Sequence, residues 1–286
     1  MNPDKLTLRP FGSYGPRLGT TAANLGLTLA GLVMVVPFLW TLSTSFKTGQ
    51  AATELPPSLI PNPITIENYR TLGDVLPFWR ILANSIIVTV VATFAQVITS
   101  AMAGYGLARY RFRGREALML LYLGTLMVPF QVTIVPLFLM MRWLGWINSL
   151  QALIVPSVAS AFGVFLFRQF FMQMPREYEE AAAIDGAGPW RTFLYIALPY
   201  AKPAAATHGI LAFMGSWNAF LWPLFIARDE SAMTLPVGLS ALNGRYSTDF
   251  ALVMAGVVVT IVPVITVFAT LQRHISGGLL LGSGGK

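Results

Sequence analysis

Six stretches of this chain contain no Asp, Glu, Lys or Arg: residues 18–46, 81–108, 117–141, 143–167, 203–227 and 250–272. An α-helix rises about 1.5 Å per residue, so roughly 20 apolar residues cross the hydrocarbon of a bilayer. Even the shortest run, 250–272, is long enough. Inside the hydrocarbon no water satisfies the backbone, so each run is expected to be a helix. The composition agrees, with 55% hydrophobic and only 11% charged residues in 286 and a mean hydropathy of +0.63. Soluble domains carry about 25% charged residues, and a core this apolar could not be covered in water. The reading is an all-α membrane protein with six transmembrane helices, at about 22–46, 81–108, 117–141, 149–167, 204–227 and 250–272. The shorter uncharged gaps at 55–66 and 231–244 read as loops.

Lys and Arg set the orientation. With the N-terminus inside, the tail, 109–116, 168–202 and 273–286 hold 13 of the 19 basic residues, so both termini are expected in the cytoplasm. Residues 1–17 read as a loose basic cytoplasmic tail, and 18–286 as a single transmembrane domain whose first run is a retained helix. Prolines inside the runs, at Pro129, Pro136, Pro156, Pro223 and Pro263, are expected to bend their helices. The first external loop carries "LPPSLIPNPITIENY", an extended stretch that can lie along an external partner; "TLPVGLSALNGRYSTDF" in the third is apolar enough to dock.

Absences narrow the function. No run carries an ionisable Asp, Glu, Lys or Arg of the kind that ion-coupled carriers and voltage sensors use. There is no G-x-x-x-x-G-K-[ST] phosphate loop, no H-E-x-x-H motif and no cysteine, and His208 and His274 have no neighbouring ligand set, so no metal site is expected. Energy for a pump would come from another polypeptide. "AGYGL" at 103–107 abuts Arg109, Arg111, Arg113 and Arg115, so its glycines read as a close helix contact and not as a channel filter. The arginines read as an anchor near anionic headgroups.

Between the fourth and fifth runs lies "EEAAAIDGAGPWRTFLYIALP", Glu179–Pro199, a polar segment in an oily chain. Pro175 suits a helix start, and Glu177, Glu179 and Glu180 complement the positive end of that helix. Tyr178, Ala181, Ala182 and Asp185 share one face, with two alanines that let another surface approach. Gly186 and Gly188 permit a turn, Pro189 starts a second short helix and Pro199 ends it. The product is a helix–turn–helix with little self-burial, expected to seat in a partner.

The pattern E-A-A, three residues, G, nine residues, I-x-L-P is met by Glu180, Ala181, Ala182, Gly186, Ile196, Leu198 and Pro199. It resembles the EAA loop that marks the membrane subunits of bacterial ABC importers. "RQFFMQMPREYEEAAAIDGAG" at 168–188, "FMGSWNAFLWPLF" at 213–225, "NSIIVT" at 84–89 and "LQRHISGGLLLG" at 271–282 resemble the carbohydrate-uptake branch, the type of the maltose and glycerol-phosphate permeases. Gly106 stands where that branch suggests alanine. The resemblance implies a cytoplasmic coupling helix that seats in an ABC ATPase dimer, with Glu180 at the contact and Asp185 beside it. It also implies a second homologous permease subunit, an extracytoplasmic substrate-binding protein and a bacterial or archaeal plasma membrane. The chain itself would be a transport subunit without enzyme activity or cofactor, ATP and magnesium being held by the partner ATPase.

A sugar is neutral and rich in hydroxyls, so its pathway should offer amides and aromatic faces. Met214, Asn218, Trp222 and Phe225 recur as one helical stripe, and Gln96 and Gln131 are further candidates for pathway lining. The alternatives are an ABC permease for another solute, such as a glycerophosphodiester, a glycerol phosphate derivative or a peptide, and a stand-alone channel or carrier.

Overall fold

The computed structural model of the chain describes residues 18–245 and 249–281, so the basic tail expected over 1–17 lies outside the described residues. All regular structure in that span is helical. The first helix, α1 (Leu18–Ser45), is apolar all round and leads to the proline-rich connection, which is not the extended stretch expected. It runs through turns and bends and folds back, the Thr65 N–H donating to the Phe46 carbonyl at 2.9 Å, and its last residues open the next helix. Then come α2 (Glu67–Val75), α3 (Phe78–Arg109), α4 (Arg115–Gly124) and α5 (Phe130–Trp143). The second half runs α6 (Leu150–Ile154), α7 (Ala161–Gln173), α8 (Glu177–Ile184), α9 (Pro189–Thr192), α10 (Leu198–Tyr200), α11 (Lys202–Trp217), α12 (Leu221–Ile226), α13 (Leu235–Arg245) and α14 (Phe250–Leu281).

Three helical stretches are long and apolar enough to cross a membrane unbroken: Ala23–Ser45, Phe78–Arg109 and Phe250–Thr270. Two more runs are bent pairs. Arg115–Met127 meets Phe130–Trp143 at 99°, and Leu150–Ser157 meets Ala161–Gln173 at 42°. The run at 204–227 is broken: α11 ends at Trp217 and a new helix starts at Leu221. The six expected runs are thus three continuous stretches, two pairs bent at Pro129 and just after Pro156, as the prolines suggest, and one interrupted run. The breaks follow local chemistry. Val128 precedes a proline and is extended, which stops the helix. Ser160 caps α7 by accepting the Gly163 N–H at 3.1 Å. Pro136 and Pro263, by contrast, lie inside continuous helices.

The helix α3 is the axis, packed against α7, α11, α13, α6 and α2. Its contact with α7 is close because a Cβ on Gly104 would come 2.7 Å from Phe167 Cβ and 2.9 Å from the Arg168 nitrogen. Gly106 faces open space, so only the first glycine of "AGYGL" makes the expected close contact. At the end of the bundle where α3 begins, Leu72, Phe78, Ile81, Trp217, Leu235 and Leu252 form one core. Helices α2 and α13 lie in stretches read from sequence as loops. Both bury apolar residues here, so the "TLPVGL" segment docks on its own chain. Asp249 starts α14 as a cap, its Oδ1 accepting the N–H groups of Ala251 at 3.1 Å and Leu252 at 3.2 Å. Helix α1 leans on α14, and its apolar stretch is otherwise uncovered.

Candidate functional site

Two places carry chemistry: the segment 175–201 at one end of the bundle, and a cavity between the helices.

In the first, α8 places Glu177, Glu179 and Glu180 in its opening turn, where carboxylates complement the helix dipole. It ends as the glycines suggest. Gly186 sits at φ 77°, in the left-handed region that L side chains resist. The Ala187 N–H reaches back to the Ala182 carbonyl at 2.8 Å and the Gly186 N–H to the Ala183 carbonyl at 3.1 Å. Gly188 has no left-handed geometry and simply precedes the helix begun by Pro189.

Pro199 does not end the second helix, which corrects the sequence reading. The helical path runs from α9 through a π turn, Phe193–Ala197, and on through Pro199 to Tyr200. The Leu198 N–H bonds the Phe193 carbonyl, five residues back, and this wider turn lets the proline ring follow without breaking the path.

The expected coupling residues divide by exposure. Glu180, Ala181, Asp185, Gly186 and Pro199 are exposed, while Ile196 and Leu198 are half-buried. Ala182 is buried within the chain, so only Ala181 of the two alanines is presented outward. The sequence reading also missed the apolar side chains displayed here: Ile184 is 87% exposed, Tyr195 77% and Trp190 65%. Beneath them Tyr105, Phe167, Phe171, Met174, Phe193 and Ala197 form a core that fastens the segment to α3 and α7. The Tyr105 ring stands 5.3 Å from both Phe171 and Phe193.

Charged ties surround that core. The Tyr105 hydroxyl donates to Glu179 Oε1 at 2.7 Å, and Arg109 Nε stands 3.2 Å from Glu179 Oε2. That Nε–H is not aimed at the oxygen, so the contact is an ion pair and not an aligned hydrogen bond. The guanidinium donates instead from Nη2 to the Met174 carbonyl at 2.6 Å. On the neighbouring flank Arg168 donates to both carboxylate oxygens of Glu116, at 2.8 and 2.9 Å. Of the four arginines read as a headgroup anchor, Arg109 and Arg115 are thus engaged within the protein, Arg115 with Glu116.

The cavity, half open, has a volume of about 950 Å³ and lies between α3, α5, α6, α7, α11 and α12. Among the described residues, its wall contains no Asp, Glu, Lys or Arg. Polar lining includes Ser85, Thr89, Gln96, Ser157, His208 and Ser216, and aromatic lining comes from Phe130, Phe162, Trp217, Phe220 and Trp222.

Of the five expected pathway residues, Gln96 and Trp222 are on this wall and Met214, Asn218 and Gln131 are not. The stripe fails because the helix breaks after Trp217, which separates Met214 and Asn218 from Trp222. Asn218 is the capping residue at that break, its Nδ2 donating to the Met214 carbonyl at 2.9 Å. Trp222 commits its indole N–H to the Ala152 carbonyl at 2.9 Å and offers the cavity only a ring face. His208 is the residue that sequence reasoning set aside. It is buried, lines the cavity, lies 3.5 Å from Ser100 and has no hydrogen-bond partner at Nδ1. Gly163 makes room for it, since a Cβ there would fall 2.4 Å from His208 Nε2.

Comparison with known proteins gives this arrangement a context. Residues 96–280 match the family described as binding-protein-dependent transport system inner membrane component. An arabinooligosaccharides transport system permease protein of Halalkalibacterium halodurans is 34% identical over 91% of this chain and 94% of its own length. A diacetylchitobiose uptake system permease protein of Streptomyces coelicolor is 36% identical over 90% of this chain and 86% of its own. An sn-glycerol-3-phosphate transport system permease protein of Salmonella typhi is 32% identical over 92% and 97%. Among solved structures, a chain of a bacterial ABC transporter involved in the import of the acidic polysaccharide alginate superposes with a TM-score of 0.79. It is 28% identical and covers 93% of this chain and 99% of its own. The family spans the broken run, the α8 segment and most of the cavity wall, and the chain belongs to it: this is an inner-membrane permease component of a binding-protein-dependent ABC transport system.

Proposed function

We propose that the chain crosses the membrane six times, with both termini cytoplasmic, and that α8 couples a partner ATPase to a carbohydrate pathway through the central cavity. The observation that carries this reading is the contrast between the two sites. Helix α8 presents Glu180, Ala181 and Ile184 outward on a base packed rigidly into α3 and α7, while the cavity beside α3 is uncharged, hydroxylated and aromatic. The orientation rests on the basic residues gathered at the α8 end. Six crossings follow if each bent pair and the interrupted run spans once, an irregularity tolerated where the backbone lines a cavity.

In this reading ATP and magnesium are held by the partner ATPase dimer, and none by this chain. Closure of the ATPase pair moves α8, the packed core carries the motion to α3, and the cavity changes access. A second, homologous permease subunit completes the pathway and covers apolar faces such as those of α1 and the α4–α5 bend. An extracytoplasmic binding protein delivers the solute. Sugar is favoured because hydroxyls, an amide and aromatic rings line the wall without a charge. A second reading, a glycerol phosphate solute, is favoured by the Salmonella relative.

Affinity purification of the tagged chain from native membranes tests this directly. The expected result is a nucleotide-binding subunit and a second permease in stoichiometric amounts, with a binding protein whose ligand is a sugar. A chain recovered alone and stable contradicts the proposal. In the assembled transporter Glu180→Lys should abolish ATP-driven uptake while the chain still reaches the membrane, since breaking a charged contact at an interface costs about 2–5 kcal/mol. Undiminished uptake would refute the assignment of Glu180.

A further inference from the structure

Glu179 and Glu180 are neighbours in sequence, yet they do different things. Successive helical residues point about 100° apart. Glu180 is exposed, whereas the side chain of Glu179 is 21% exposed and turned toward α3. There it meets Tyr105 at 2.7 Å and Arg109 at 3.2 Å, the latter side chain only 9% exposed. Arg109 is the last residue of α3, and its Nη2 also holds the Met174 carbonyl where α7 ends. Three elements therefore meet at one guanidinium. Helix α3 continues unbroken from this joint to Phe78, carrying Gln96, Thr89 and Ser85 along the cavity wall.

We propose that Glu179, Arg109 and Tyr105 form the joint through which α8 moves α3, which makes Glu179 a positioning residue for transport. This rests on the coupling reading of α8. The apolar contacts beneath α8 resist compression, but they resist a pull or a twist poorly because they are non-directional. An ion pair backed by a hydrogen bond from a buried tyrosine fixes direction as well as distance. Arg109 already has a second anchor on the α7 carbonyl, so a displacement of Glu179 reaches the ends of two helices together. The flanking Arg168–Glu116 pair ties α7 to α4 and leaves α8 untouched, so it cannot substitute.

The test uses the complete transporter in proteoliposomes and measures solute moved per ATP hydrolysed. A brace that only held the fold together would lower assembly and leave that ratio unchanged. Glu179→Gln keeps the size and an acceptor for Tyr105 but removes the charge. The expected result is normal assembly, continued ATP hydrolysis and a ratio lowered about tenfold. Tyr105→Phe keeps the ring packing and should lower the ratio two- to fivefold. Arg109→Glu should abolish transport, and combining it with Glu179→Arg should recover at least a third of the ratio. An unchanged ratio in Glu179→Gln, loss of assembly in step with loss of transport, or no recovery in the exchanged pair would each overturn the joint. If the unaltered chain binds no ATPase at all, the coupling reading itself fails.

Discussion

At the α8 end of the bundle the helices are tied by arginines, Arg109 to Glu179 and Arg168 to Glu116, whereas at the opposite end asparagines do the tying. Asn68 donates to the carbonyls of Ser45 and Lys47, both at 2.8 Å, and Asn84 to those of Ser231 and Met233, both at 3.0 Å. Asn148 donates to Asp229 at 2.7 Å and accepts the Arg228 N–H at 3.0 Å. A short amide clamped on two backbone carbonyls fixes a loop in one arrangement. A long guanidinium with several donors can keep its partners while they shift. In the proposed coupling the asparagine end stays put and the arginine end carries the motion.

Breaking each end should therefore have a different signature. The largest stability loss is expected for Asn84→Leu, which orphans two carbonyls at about 1–3 kcal/mol each. Thermal unfolding of the purified assembly should show a clear drop in Tm, with the solute-to-ATP ratio of surviving protein unchanged. Glu179→Gln should show the reverse, a lowered ratio with little change in Tm. The two variants giving the same signature would erase the distinction between the ends.

Gly104→Ala should come next, at about 1–3 kcal/mol, because its Cβ meets backbone and a Cβ that cannot move aside. Gly106→Ala, two residues on with open space around it, should be neutral or stabilise by up to about 1 kcal/mol. Equal effects at the two glycines, read from protein yield and Tm, would refute the close α3–α7 contact.

The smallest effect belongs to Asp229 in the asparagine-tied loop. A hydrogen bond from the Ser231 side chain, helped by Asn148, holds its carboxyl below the usual aspartate range. A carboxyl with a lowered folded-state pKa contributes stability above its unfolded value, near 3.9, and loses it as pH falls through the folded value. Asp229→Asn should abolish that acid limb and leave stability at neutral pH little changed. An acid limb that persists in the variant would place the titration elsewhere.

The runs were readable because the absence of charge over a membrane's thickness has one physical explanation. Their breaks were legible only in part, since proline alone does not decide them: the chain bends at Pro129 and just after Pro156 as expected, yet carries Pro136 and Pro263 within helices. Helix α13 was hidden because Pro236, Gly238 and Gly244 look like loop residues until the apolar side of the segment meets Ile81 and Leu252. In the α8 segment the turn at Gly186 was legible from local chemistry. Which of Ala181 and Ala182 faces the protein was not, and neither was the partner of Glu179, since both depend on Tyr105 and Arg109 far away in sequence. The single-helix geometry of the stripe was lost for a similar reason. Its spacing assumed a helix that Asn218 ends, and it passed over His208, whose place at the cavity needs Gly163 on another helix.

The central claim, that α8 seats in an ATPase, can be met directly because the chain has no cysteine of its own. Ile184→Cys puts a single thiol on the most exposed apolar side chain of α8. A short thiol cross-linker applied to native membranes should join it to the nucleotide-binding subunit, with a yield that changes when ATP is added. A thiol that labels freely and cross-links to no nucleotide-binding protein, with or without ATP, would contradict the account.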